Sequence, residues 1–131
     1  TAANALSAES LNEVGVDRQF TTPLMRLQDP ELTKVVIVTL AETTPVLEAA
    51  ARGSELERAR IHPWAWVVNN SLAAANPTSP LLRTRAVAEL AELDTVRTRY
   101  ADRLAVVPLL AAEPVGIPAL EALTADRVAA H

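Results

Sequence analysis

The sequence predicts an α/β fold: parallel strands with flanking helices, forming a partial Rossmann-like three-layer sandwich. Three observations carry this. Short runs rich in β-branched residues alternate with longer stretches of helical periodicity, the order expected of parallel strands joined by crossovers. The run Val35-Val36-Ile37-Val38 is apolar at every position, as a strand buried on both faces should be. The chain is 50% hydrophobic but only 3% aromatic, so its core is aliphatic, as where helices pack on a sheet.

Taken in order, residues 1–19 carry no strong pattern and read as a poorly ordered end or a displaced helix. Thr22-Pro23 opens a short helix, because Thr caps amides and Pro needs no amide partner in the first turn. Asp29-Pro30-Glu31 makes a turn. Lys34 to Leu40 is the first strand. Thr44-Pro45 then opens a helix whose apolar face is Val46, Ala49, Ala50, Gly53 and Leu56. Trp64 to Asn70 is the second strand, with Trp64 and Trp66 alternating onto one face beneath a helix. Residues 71–79 read as a loop. Ser79-Pro80 starts a helix with the stripe Leu82, Ala86, Leu90, Leu93, Val96 and Tyr100. Leu104 to Val107 is the third strand, ended by Pro108. A last helix carries Ile117, Leu120, Leu123 and Val128. The whole, residues 1–131, reads as one α/β domain.

Composition excludes several functions. There is no cysteine, which removes disulfides, thiol catalysis and thiolate metal sites. His62 and His131 are too far apart in sequence to suggest a zinc site. A formal charge of -4 argues against a nucleic-acid surface. No apolar run reaches the ~20 residues of a membrane span, and no signal peptide is visible, so a cytoplasmic protein is expected. With Gly15, Gly53 and Gly116 as its only glycines and Lys34 as its only lysine, no Gly-x-x-x-x-Gly-Lys phosphate loop can be drawn. No catalytic residue and no metal ligand is assigned. Thr1 in place of an initiating Met suggests a fragment or a processed chain.

Three blocks, residues 20–49, 61–72 and 107–117, closely resemble the arsenical pump-driving ATPase family, P-loop ATPases with a deviant Walker A motif. The resemblance points to the part of the second nucleotide-binding half that follows the switch II segment. It implies ATP and magnesium as cofactors of an intact relative, a membrane efflux protein as partner, and hydrolysis coupled to arsenite or antimonite export. The family's catalytic lysine, magnesium ligands and Asp-Thr-Ala-Gly switch lie upstream of the matching part, so this chain alone is expected to be inactive. Its partner is then the missing N-terminal ATPase part or a second copy covering an unpaired sheet edge. The family often reads Thr-Leu-Pro-Glu after the first strand; this chain reads Thr39-Leu40-Ala41-Glu42.

An open parallel sheet holds ligands at the carboxyl ends of its strands. There Asn69 offers one acceptor and two donors in a plane, which match the N6 and N7 edge of adenine; the matching family Asn contacts the base. The residues alone favour an Asn that bonds its own loop, as most strand-end Asn residues do. The resemblance also places Pro108 and Leu109 against the base, with Gly116 permitting close backbone approach. Asn70 is a loop-forming neighbour. Glu42 either senses the ligand or simply starts a helix, where acids are favoured. Two rival functions remain open from sequence: a stand-alone oligomerising or regulatory module, and a generic small-molecule-binding α/β domain.

Overall fold

The computed structural model describes residues 21–125. The expectations for residues 1–19 and for Val128 and His131 lie outside these. Helix α1 (Pro23–Gln28) is capped by Thr22, whose hydroxyl accepts from the Met25 amide at 3.2 Å. Asp29 then closes the expected turn by accepting from the Glu31 amide at 2.9 Å. Strand β1 (Val35–Leu40), helix α2 (Thr43–Arg58), strand β2 (Pro63–Ser71), helix α3 (Leu72–Ala75), helix α4 (Pro80–Thr95), a π-helical segment (Val96–Tyr100), strand β3 (Leu104–Pro108) and helix α5 (Ile117–Ala125) follow. The short α3 falls inside what sequence pattern reads as a loop. Helix α2 begins two residues earlier than expected, with Glu42 rather than Thr44 at its N-cap and Pro45 inside the first turn.

The three strands form one parallel sheet in the order β1-β2-β3. In-line register pairs Ile37 with Trp66 and Thr39 with Val68. It then pairs Trp66 with Leu104 and Val68 with Val106. These residues share one face, and both crossovers pack there. Val46 and Ala49 of α2 and Val96 after α4 join Ile37, Trp66 and Val68 in a single core cluster. Gly53 lets α2 approach closely: a Cβ there would lie 3.3 Å from Ile37 Cδ1 and 3.6 Å from Trp66 Cζ2.

Strand β1 is therefore buried on one face, not on both. Val36 and Val38 are 42% and 61% exposed, while Ile37 is 7% exposed. The cause is topological. Crossovers of one hand between strands laid down in sequential order put every connecting helix on the same side. Covering the second face needs a reversal of strand order, and the described residues contain none. They thus supply two layers of the partial sandwich, the sheet and the helices on one side of it. Trp64 also departs from expectation. A register irregularity separates the pairings of Val35 and Val36, and Trp64 is 42% exposed. The Arg103 guanidinium lies over its ring, 4.8 Å from the centroid.

The α4 stripe is thinner than its periodicity suggests. Ala86 and Val96 are buried, whereas Leu90 remains 55% exposed. After Thr95 the backbone winds wider, and the Ala101 amide reaches the Val96 carbonyl at 2.9 Å. This carries Tyr100 over Trp66, where the rings stack with centroids 5.5 Å apart and planes 14° from parallel.

Candidate functional site

The carboxyl ends of the strands bring Glu42, Asn69, Asn70, Pro108 and Leu109 to one rim of the sheet, but on two sides of it. Asn69 pairs with Leu40, one step after Val68 on the buried face. The pleat therefore turns it to the open face with Leu40. By the same alternation Val107 of β3 lies on that face. Between Val68 and Ser71 the pairing with β3 slips, so that Ser71 sits opposite Pro108. Asn70 takes up the slip with φ of 52°, a left-handed conformation that Asn tolerates better than most residues. Bulges of this kind re-aim side chains at the ends of strands.

On the helical side of the rim lies a cleft of about 450 Å³. Glu42, Asn70 and Leu109 line it together with Ala41, Thr43, Leu72, Arg85, Ala88, Glu89 and Glu92. Three carboxylates face a single guanidinium there, a field that repels phosphate. Glu42 makes no side-chain cap bond to α2. Thr43 instead donates its hydroxyl to Glu92 at 2.8 Å, tying α2 to α4. The structure thus separates the expected set. Glu42, Asn70 and Leu109 meet in the cleft, Asn69 lies across the sheet from them, Pro108 is half-buried at the end of β3, and Gly116 lies further along the loop. Gly116 has φ of 86°, and a Cβ added there would meet only Pro118 Cδ at 3.9 Å. That φ is one a glycine adopts freely and other residues rarely do.

Pattern reading missed the best-bonded group at this rim. Ser71, fully buried, caps α3 by accepting from the Ala74 amide at 3.1 Å. Its hydroxyl donates to Glu89 Oε2 at 2.9 Å. The same carboxylate accepts the Leu72 amide at 3.1 Å and the Ala73 amide at 3.0 Å. The Ser71 carbonyl in turn accepts the Leu109 amide at 3.0 Å. Among the described residues no group of three or more His, Asp or Glu could hold a metal ion, and no helix is long and apolar enough to cross a membrane.

Comparison with known proteins adds an independent line. Residues 7–128 match the family described as anion-transporting ATPase. An arsenical pump-driving ATPase of Escherichia coli is 54% identical over 122 residues, covering 93% of this chain and 21% of the relative. One from Acidiphilium multivorum is 53% identical over the same span and the same shares. A further Escherichia coli relative of the same description is 52% identical. The chain spans about a fifth of the length of the curated relatives it matches.

Proposed function

The chain belongs to the anion-transporting ATPase family, and on that premise we propose that it is the adenine-side, C-terminal part of the second nucleotide-binding half of an arsenite- or antimonite-efflux ATPase. One observation supports this most. Asn69 stands at the carboxyl end of the central strand β2, on the open face and beside the end of β3. A planar amide there can pair with the adenine edge, and Pro108 ends the neighbouring strand at the same rim. The acid-lined cleft on the other side suits neither phosphate nor a role as the phosphate site. On this reading the P-loop, its lysine and the magnesium ligands come from residues outside this chain. ATP and magnesium are the cofactors of the assembled enzyme, which works in the cytoplasm against a membrane efflux protein.

The test is a chimera in which this chain replaces the matching segment of the Escherichia coli relative. Asn69→Ala should weaken ATP binding by about 1–3 kcal/mol, through loss of one hydrogen-bonding partner. GTP, whose ring edge presents different donors and acceptors, should be affected less. Equal ATP affinity for mutant and parent would remove Asn69 from the site.

A second reading, a self-associating module without nucleotide chemistry, is favoured by the open face. Val36, Val38 and Leu40 expose a contiguous aliphatic strip along β1, and the outer edge of β1 has no strand partner among the described residues. Such surfaces are templates for association. Sedimentation of the isolated chain at micromolar concentration should show a dimer or larger species. A clean monomer speaks against self-association, and tight magnesium-dependent ATP binding would exclude the second reading altogether.

A further inference from the structure

We propose that Glu89 is a positioning residue for the base-side loop, acting through Ser71; the proposal rests on the assignment of Asn69 and Pro108 to the adenine side. Glu89 comes from the middle of α4, yet its carboxylate is spent on the end of β2. It holds the Ser71 hydroxyl and the Leu72 and Ala73 amides at 2.9, 3.1 and 3.0 Å. A carboxylate that accepts several donors in a partly buried place makes stronger bonds than neutral partners do. Ser71 has no exposed surface, so in the intact fold its hydroxyl depends on Glu89 rather than on water for an acceptor.

The arrangement fixes more than α3. Ser71 lies two residues beyond Asn69, directly after the left-handed Asn70, and its carbonyl holds the Leu109 amide at 3.0 Å. Pairing of Ser71 with Pro108 resumes the sheet after the slip at Asn70. One side chain from α4 therefore clamps the point where β2 and β3 both leave the sheet. Asn69 sits on one side of that point and Pro108 on the other. Without Glu89 the far end of the slip at Asn70 keeps its backbone bond to Leu109 but loses its tie to α4. The distance between the amide of Asn69 and the ring of Pro108 then becomes variable. On the base-side assignment a planar base meets both, so loosening the clamp should reduce discrimination between bases more than it reduces folding.

Two measurements decide this. Hydrogen exchange at the Leu72 and Ala73 amides of the chimera reports the clamp itself, and titration with ATP and GTP reports the base site. Glu89→Ala should speed exchange at both amides, weaken ATP by about tenfold and narrow the preference for ATP over GTP. Glu89→Gln, which keeps one acceptor oxygen and nearly the same shape, should fall between Glu89→Ala and the parent; it also carries the test if Glu89→Ala does not fold. Faster exchange with unchanged ATP preference, in a chimera where Asn69→Ala does alter that preference, would overturn the positioning role alone. If neither Asn69→Ala nor Glu89→Ala changes nucleotide preference, the base-side assignment fails, and this proposal falls with it.

Discussion

Purified by itself and supplied with ATP and magnesium, the 131-residue chain will release no phosphate. Phosphoryl transfer is catalysed by cations placed around the γ-phosphate, and a single such group supplied in place is worth about 10³–10⁵ in rate. Lys34 is the chain's one lysine. It sits just before β1, where its Nζ donates to the Pro30 carbonyl at 2.6 Å. The candidate site is at the other end of that strand, roughly 20 Å away for six residues. Arg85 is the one cation lining the carboxyl-end cleft, and Glu89 and Glu92 line it too. A phosphate-release assay on a contaminant-free preparation checks this. Magnesium-dependent turnover that one substitution in this chain abolishes would contradict it.

Trp66→Ala should cost about 3–5 kcal/mol of folding free energy, through lost burial and the cavity left behind. That is a large share of the ~5–15 kcal/mol that holds a domain of this kind. Trp66 is 4% exposed, central in the sheet between Ile37 and Leu104, and stacked on Tyr100. Its ring also faces α2 at Gly53, a residue with no side chain of its own to turn into the space. Trp64→Ala is the matched control. It removes an exposed ring and one contact with Arg103 and should cost about 1 kcal/mol or less. Urea denaturation followed by circular dichroism measures both. Equal losses for the two variants would mean that the register irregularity at the start of β2 does not keep Trp64 out of the core.

Much of the architecture was readable before the structure. Each strand is a run of Val, Ile or aromatic residues between turn-forming positions, and such local signals survive whatever packs around them. Thr22 and Asp29 do what their side-chain chemistry favours. The open face was not readable. An apolar run such as Val35 to Val38 says that both faces tolerate burial, not what covers them. Strand order, which puts both helices on one side, is a property of the path rather than of any residue. Ser71 carried a usable signal, since Ser before Leu-Ala-Ala-Ala is a good helix start, and that pattern could have revealed α3. Glu89 carried none: eighteen residues from Ser71, it looks like any acid on the wet side of a helix. The candidate base contacts came from family resemblance rather than from spacing. Their division between the two faces follows from the slip at Asn70, which no local pattern announces.

The wide turn after α4 sets a rule about length rather than about side-chain identity. Successive residues of an α-helix are about 100° apart, so five residues on, a side chain has swung roughly 140° off its starting direction. Val96 and Ala101 are separated by that interval, yet both pack on the core cluster, because the i→i+5 ring adds one residue to the turn. The segment works as a spacer whose residue count keeps the helix and the following strand in phase. Exposed positions within it, such as Arg97 and Thr98, can exchange chemistry with little consequence. Loss of a single codon between Val96 and Ala101 would rotate the path out of step and pull Tyr100 from Trp66. Among homologous sequences this stretch should therefore vary in letters while holding its length.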